Sequence, residues 1–410
     1  MFALVSELVL EEIFIKMNVI EDRTIWHEFK DSDGKEIREQ IPFEQLPLQM
    51  QRTWYHGICS EAEIDRILNV QNGEDYILKL RADTIADNIR LWRVYRHIAE
   101  KWGEGWALEK YFNAYCYIDV RNAMPKDKQE ICKQVHFGSL ISSDPNGLIF
   151  DTPYGICSTY SETLKYFTKF SCLALLDFAG KVPNEVRFRA MKIAIRVMLQ
   201  REALDFDVDP RGIIPKGIMD VINPIYPAQM TFLVAHEYSH LLNGDLKKGG
   251  LKKVALLKSH FEDQTDYKML DAYTSDQKKE FAADLGAMTN PQWSKEAYSF
   301  QYFATMLWFA ALAIFEAVEN TMFPPYGRQS HPGAKARYNN ILENAPRPFD
   351  FDKDKNMYCE DLPQLVSYWE NLMQDDVSEN YKQYEMYGSF YLAAPNTEWR
   401  GRELIDRVDY

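Results

Sequence analysis

Two histidines and a glutamate within one predicted helix form a pattern that can bind a metal ion and activate water. His236 and His240 are four residues apart, so both rings leave the same face of a helix, about 6 Å apart along its axis. Nitrogen ligands at this spacing can bind one tetrahedral zinc ion through bonds of about 2.0–2.1 Å. Glu237 is rotated by about 100° from His236, beside the metal, where a general base for a metal-activated water would stand. The sequence therefore predicts His236 and His240 as zinc ligands and Glu237 as the catalytic base.

The residues around this pattern predict a buried, rigid helix. Pro227 is typical of a helix start, residues 228–242 carry no charge other than Glu237, and Asn243-Gly244 is a typical C-terminal stop. The alternative interpretation is a pair of structural core histidines. It leaves a buried glutamate without a partner, which is costly, so metal binding explains the pattern better.

A catalytic zinc site needs a third protein ligand and leaves one position for water. One class of site has a glycine three residues after the second histidine and takes its third ligand from a histidine or aspartate just beyond. Asn243 and Leu246 stand at these two positions and exclude that class. A second predicted helix, between residues 274 and 288, carries Glu280 and Asp284 on one face. Its small residues at 283, 286 and 287 would let another helix approach closely. We therefore predict Glu280 as the third ligand and Asp284 as an acceptor that orients a ligand imidazole; two solvated surface carboxylates are the alternative.

A third segment, Ser330-His331-Pro332 followed by Arg337, carries polar residues that could serve the same site. His331 could donate a hydrogen bond to the oxyanion that develops on a substrate carbonyl. Arg337 could pair with a nearby carboxylate and fix its geometry. By itself, a His-Pro pair more often marks only the start of a loop.

Taken together, the three segments resemble the catalytic core of the HtpX and CAAX-prenyl-protease superfamily of gluzincin zinc metallopeptidases. That family has a zinc helix, then a Glu-x-x-Ala-Asp helix, then a His-Pro pair with a following arginine. In this chain the three segments are His236-Glu237-Tyr238-Ser239-His240-Leu241-Leu242-Asn243-Gly244-Asp245, Glu280-Phe281-Ala282-Ala283-Asp284, and Ser330-His331-Pro332 with Arg337. Ser239, Asn243 and Asp245 resemble HtpX in particular. The resemblance covers roughly residues 225 to 345. It implies zinc bound by His236, His240 and Glu280, with Glu237 as the base, Asp284 as an orienting residue and His331 near the substrate.

Members of that superfamily usually carry transmembrane helices, and this chain shows no convincing one. Its longest uncharged stretch, residues 297–315, is only marginally long enough to span a bilayer. Polar residues in its first turns shorten the apolar part further. We therefore expect a buried helix there and no membrane span.

The composition indicates a globular protein of the cytoplasm. Apolar residues make up 46 % of the 410 residues, which is too apolar for a disordered chain. The formal net charge of −14 argues against nucleic acid as a partner and offers no basic face to a membrane. The six cysteines are widely spaced, as in reduced cytosolic proteins.

The predicted fold class is α+β, with a mostly helical, zincin-like metallopeptidase core and a small β-sheet. We assign residues 131–345 to that core, residues 1–130 to an accessory domain without recognisable chemistry, and residues 346–410 to a C-terminal helical accessory segment. Apolar runs at 135–141 and 148–151 flank a turn-rich loop that includes Asn146-Gly147, which predicts a β-hairpin. Such a hairpin could bind substrate as an added strand, or it could only cover the core.

These observations predict a zinc-dependent endopeptidase that acts on a protein or peptide substrate. The alternative from another class is a zinc-binding sensor, or a defence or regulatory module, that cleaves one dedicated partner or none. A metal-free scaffold with structural histidines is the third hypothesis.

Overall fold

The computed structural model is mainly helical and describes most of the chain. The described residues are 24–30, 36–142, 145–202, 206–207, 210–246, 254–255, 277–323, 332–385, 398–399, 402–403 and 407–408. The chain divides into two compact units, Met1–Gln71 with Leu78–Tyr111 and Asn72–Ile77 with Phe112–Tyr410. All described residues of the predicted metal site belong to the second unit.

The first unit combines a two-stranded antiparallel sheet with short helices. Strand β1 (Thr24–Lys30) pairs with β2 (Glu36–Pro42), and a 3₁₀ turn (Phe43–Gln45) follows. The helices are α1 (Leu48–Tyr55), α2 (Glu61–Leu68), most of α3 (Gly73–Ala86), α4 (Ile89–Trp102) and α5 (Leu108–Tyr111). The carboxylate of Glu63 closes a capping box with Ser60 and also accepts the backbone N–H groups of Leu108 and Glu109. This buried carboxylate therefore joins α2 to α5.

The second unit is built from helices around one continuous hydrophobic core. They are α6 (Tyr115–Ala123), α7 (Lys126–Cys132), α8 (Leu164–Leu175), α9 (Asn184–Met198), α10 (Lys216–Ile222), α11 (Ile225–Leu242), α12 (Gln277–Thr289), α13 (Lys295–Met322), α14 (Ala334–Asn344), α15 (Phe351–Asn356), a π-helical turn (Met357–Asp361) and α16 (Leu362–Glu385). The unit also contains a four-stranded sheet and a two-stranded ribbon of β7 (Glu398–Trp399) and β8 (Arg402–Glu403).

The four-stranded sheet has the order β3-β5-β4-β6, so the predicted hairpin is wrong. Strand β5 (Gly155–Ser161) lies between β3 (His136–Leu140) and β4 (Gly147–Thr152), parallel to the first and antiparallel to the second. The hairpin is therefore β4–β5, and β3 and β4 are not neighbours in the sheet.

Gly147 marks a close packing contact rather than a hairpin turn. A Cβ atom at Gly147 would lie 2.7 Å from the side chain of Leu233 on α11. The start of β4 can therefore lie directly on α11 only because position 147 lacks a side chain. On its other side β4 pairs with β6 (Val254–Ala255) at Leu148 and Ile149, so this part of its edge already has a partner strand.

Helix α13 is the central helix of the core. Ser294 caps its N-terminus by accepting the backbone N–H of Ala297, and the helix contacts α8, α9, α11, α14 and α16. Among the described residues it is the one helix long and apolar enough to cross a membrane, with a mean hydropathy of 1.4, but 83 % of that apolar window is buried inside the protein. Its packing is that of a core helix, as the sequence predicted.

The fold class is α+β, with a mostly helical body and a small sheet, as expected from the sequence. The division into units differs from the predicted boundaries. It falls at Tyr111–Phe112 instead of near residue 130, because α6 and α7 pack against α11. Within the C-terminal segment, α16 packs along α13.

Candidate metal centre

Helix α11 holds the two histidines and the glutamate in the interior of the second unit. Pro227 lies in its first turn, where a missing N–H leaves no helical hydrogen bond unmade. Gly244, with φ of +74°, follows its last turn as the sequence predicted. The residues His236, Glu237 and His240 are at most 1 % exposed. Polar groups buried to this degree need partners, so the surroundings decide their chemistry.

Helix α12 lies very close to α11 because small residues face the contact. Ala283 and Ala287 are buried, and a Cβ atom at Gly286 would lie 2.5 Å from the hydroxyl oxygen of Ser239 on α11. The same hydroxyl accepts a hydrogen bond of 3.0 Å from the side chain of Asn290. The expectation that this helix can approach another closely is confirmed, and the approach brings Glu280 to the histidines.

Three side chains converge on one point between the two helices. The Nε2 atoms of His236 and His240 are 3.1 Å apart, and each lies 3.5 Å from a carboxylate oxygen of Glu280. Zinc bonds of about 2.0–2.1 Å at the tetrahedral angle place neighbouring ligand atoms about 3.3–3.4 Å apart. The three donors thus have the mutual spacing of ligands around one small ion. Among the described residues they form the one group of histidine, cysteine and carboxylate side chains close enough to hold a metal.

The first histidine is oriented from behind by a carboxylate that is itself fixed by an arginine. Nδ1 of His236 lies 2.9 Å from Oδ1 of Asp284. Arg337 on α14 donates to both oxygens of Asp284, from Nε over 2.8 Å and from a terminal nitrogen over 2.5 Å. The nearby guanidinium keeps the pKa of Asp284 below its usual value although burial alone would raise it. An ionised carboxylate only accepts hydrogen bonds, so Nδ1 of His236 carries the proton.

Arg337 is itself held in place by α13. Glu316 of α13 accepts the backbone N–H of Ala334 at the start of α14, over 2.8 and 3.0 Å to its two oxygens. The guanidinium of Arg337 lies 4.9 Å from the ring centre of Phe309, also on α13. A carboxylate at a helix N-terminus is favoured by the helix dipole. The orientation of His236 therefore depends on a chain of contacts through three helices.

The second histidine has its own carboxylate, which the sequence prediction missed. Nδ1 of His240 lies 3.0 Å from Oδ2 of Asp245. Asp245 is 7 % exposed and its other oxygen lies 3.6 Å from Nζ of Lys279 on α12. The signal available in the sequence was an aspartate placed just after the helix stop Asn243-Gly244.

With both Nδ1 atoms donating to carboxylates, the two Nε2 lone pairs face each other across 3.1 Å. Two bare lone pairs at this distance repel, so either a proton or a metal cation must lie between them. Without metal, burial disfavours a charged imidazole, but the hydrogen bonds to Asp284 and Glu280 outweigh it and raise the pKa of His236 to about 9. Burial instead lowers the pKa of His240. The site thus binds a proton when it binds no cation.

Glu237 lies beside this cluster without taking part in it. Among the described residues no side chain hydrogen-bonds its carboxyl oxygens; burial raises the pKa of this carboxyl to about 8, and the nearby backbone N–H of Ile149 on β4 opposes that rise only in part. A fully buried carboxyl group without a side-chain partner is costly, as the sequence argument noted. Such a group is retained where it serves the chemistry of a site rather than the stability of the fold.

The structure brings together six of the seven residues that the sequence selected: His236, Glu237, His240, Glu280, Asp284 and Arg337. His331 lies outside the described residues, and its proposed contact with substrate stays a prediction. The six cysteines are all free thiols, and none belongs to the cluster. No protein-family model, curated protein or solved structure matches this chain.

Proposed function

We propose that this chain is a zinc-dependent endopeptidase of the gluzincin type, as its resemblance to the HtpX and CAAX-prenyl-protease superfamily implies. The observation that carries the proposal is the convergence of His236, His240 and Glu280 at mutual distances of 3.1–3.5 Å. A zincin-like active site is the best explanation for three donors at this spacing beside a buried glutamate that no described side chain pairs with.

The donor set favours zinc over other abundant divalent ions. Two imidazole nitrogens and one carboxylate are the ligands of many catalytic zinc sites, whereas calcium and magnesium prefer oxygen ligands alone. His236, His240 and Glu280 would hold the ion. When bound, zinc supplies Lewis acidity that makes water nucleophilic at neutral pH and polarises a peptide carbonyl.

Glu237 is the proposed proton carrier. Among the described residues no side chain competes for its carboxyl oxygens, so they can accept a proton from the attacking water and return it to the leaving amine nitrogen. Without metal, burial raises the pKa of Glu237 to about 8. A cation held by the neighbouring histidines would lower this pKa towards the neutral range, where a general base works best.

Asp284 and Arg337 act on the site indirectly. The ion pair fixes the ring of His236 and keeps the proton on Nδ1, which leaves Nε2 free to bind a cation. His331 is proposed as a hydrogen-bond donor to the substrate oxyanion, on the strength of the family resemblance and its place six residues before Arg337.

A second candidate function has one observation in its favour. The six described residues of the site are 0–2 % exposed, whereas a general endopeptidase must admit an extended polypeptide. Burial of this degree favours a zinc-binding sensor, or a regulatory module that opens only for one dedicated partner.

Replacement of the base tests the proposal. The Glu237→Gln variant should bind one zinc per chain like the unmodified protein, and its peptide cleavage should fall by about 10²- to 10⁴-fold, the usual contribution of a general base. Glu296→Gln, at an exposed position in the first turn of α13, is the matched control and should retain full activity.

The readouts are metal content and chelator-sensitive cleavage of unfolded protein substrates, followed by mass spectrometry of the fragments. Equal cleavage by the unmodified chain and the Glu237→Gln variant would show that the assigned base is wrong. Zinc binding without any cleavage would favour the sensor, and a chain that binds no zinc would contradict both functions.

A further inference from the structure

We propose that Asp245 is a positioning residue of the metal centre, and that the turn which ends α11 is built to deliver it to His240. This inference rests on the proposed function, because it concerns how one zinc ligand of that site is oriented. Asp245 is one of the residues on which the resemblance to HtpX rests, but the sequence analysis gave it no role.

The end of α11 has the hydrogen bonds of a Schellman motif. The backbone N–H of Asp245 donates to the carbonyl of His240 over 2.9 Å, and the N–H of Gly244 donates to the carbonyl of Leu241 over 3.1 Å. Gly244 adopts the left-handed conformation that the motif requires, with φ of +74°. Asp245 and His240 are therefore the outermost pair that this motif brings together.

That outermost pair normally makes a hydrophobic contact. In this chain it makes a polar one, since Oδ2 of Asp245 accepts a hydrogen bond of 3.0 Å from Nδ1 of His240. His240 is thus bound to Asp245 twice, through its backbone carbonyl and through its ring. The carboxylate fixes both the angle of the ring and the proton on Nδ1, so Nε2 points into the cluster with its lone pair free.

The two ligand histidines are consequently oriented by independent devices. Asp284 on α12 holds His236 and is fixed by Arg337. Asp245 belongs to the turn after α11, and a lysine of α12 lies 3.6 Å from its other oxygen. Damage to the turn should therefore disturb the His240 ring while the His236 ring keeps its partner.

Gly244 allows the turn to be tested apart from the carboxylate. No described residue lies within 4 Å of the position that a Cβ atom would take there, so we expect a substitution to act through backbone conformation. Alanine disfavours positive φ, whereas asparagine tolerates it. Gly244→Ala should therefore displace Asp245, and Gly244→Asn should leave it in place.

The experiment measures the dissociation constant for zinc by competition with a chelator, using the full-length chain. Asp245→Ala should weaken zinc binding by about 10- to 100-fold, the usual effect of removing such a partner. Asp245→Asn, which keeps the shape of the side chain, and Gly244→Ala should each show a smaller loss, and Gly244→Asn should bind like the unmodified protein. Asp220→Asn, at an exposed position of α10 where Asp220 pairs with Lys216, is the control for the change of charge.

The visible spectrum of Co²⁺ bound in place of zinc gives a second readout, because its bands report the geometry around the ion. The bands should shift in Asp245→Ala and Gly244→Ala and should return to their original positions in Gly244→Asn. If Asp245→Asn and Asp245→Ala bind zinc as tightly as the unmodified chain with unchanged Co²⁺ bands, Asp245 does not position His240. Failure of the unmodified chain to bind zinc would instead contradict the proposed function itself.

Discussion

Zinc binding to this protein should release between one and two protons at pH 7. The structure predicts this because the metal-free cluster holds protons that a cation must displace. His236 has a pKa raised to about 9 by Asp284 and Glu280 against the opposing effect of burial, and burial raises the pKa of Glu237 to about 8. Metal ligands must be deprotonated, so binding is linked to proton release.

The expected number follows from these two pKa values. At pH 7 a group with a pKa of about 9 is about 99 % protonated, and one with a pKa of about 8 is about 90 % protonated. His236 must lose its proton to bind the ion, which gives close to one proton. Glu237 loses up to one more, because a neighbouring divalent cation lowers its pKa. His240 adds little, since burial lowers its pKa.

Isothermal titration calorimetry measures this number directly. Zinc is titrated into metal-free protein in buffers with different enthalpies of ionisation, and the slope of the observed enthalpy against buffer enthalpy gives the protons released. The Glu237→Gln variant is the matched control, because it keeps the ligands and removes one titrating group. Its proton release should fall to about one at pH 7.

A release of less than about half a proton at pH 7 would refute the reasoning. It would mean that His236 is neutral in the metal-free protein, so that no proton lies between the two Nε2 atoms. Equal release by the unmodified chain and the Glu237→Gln variant would show that Glu237 does not lose a proton when zinc binds.

Three further predictions concern the stability of the protein. Without metal, the free energy of unfolding should fall as pH rises from about 5 to 9. The reason is that His236 and Glu237 have raised pKa values in the folded protein, so each contributes stability below its unfolded pKa and loses that contribution as pH passes its folded pKa. Chemical denaturation at several pH values, with and without zinc, checks that zinc removes this dependence of stability on pH. Arg337→Met leaves Asp284 buried without its cation and should cost about 3–5 kcal/mol, whereas the double variant with Asp284→Asn should recover part of that loss. Gly286→Ala adds a Cβ atom 2.5 Å from a hydroxyl oxygen of α11, and the resulting overlap should lower the stability of the fold by about 1–3 kcal/mol. This loss should exceed the gain of about 1 kcal/mol from the higher helix propensity of alanine. A raised melting temperature would contradict the tight packing of α11 and α12.

The helices of the site could be predicted because their signals are local. The spacing of His236 and His240, the glycine stop after them and the small residues of the second helix all lie within single segments of the chain. Periodicity and capping residues determine where such helices run and which side chains share a face. The same reasoning predicted a buried helix within 297–315, which is the centre of α13.

The sheet could not be predicted in the same way. Asn146-Gly147 has the residues of a hairpin turn, yet β5 separates the two strands that the turn would have joined. Strand order depends on which segments meet across the core. Position 147 must be glycine because a larger side chain there would clash with Leu233, 86 residues further along the chain. A turn signal and a close-packing signal have the same residue type, so only the folded contact distinguishes them.

The sequence by itself determined the donor set: two imidazoles on one helix face, a glutamate beside them and a carboxylate pair on a second helix. Only the tertiary structure decided that Glu280 reaches within 3.5 Å of both rings, and that Asp284 and Asp245 each orient one of them. The physical reason is that ligand identity is a property of residue types, whereas convergence to within a few ångström depends on the distance between helices. In this chain that distance is set by a glycine against a serine, at Gly286 and Ser239.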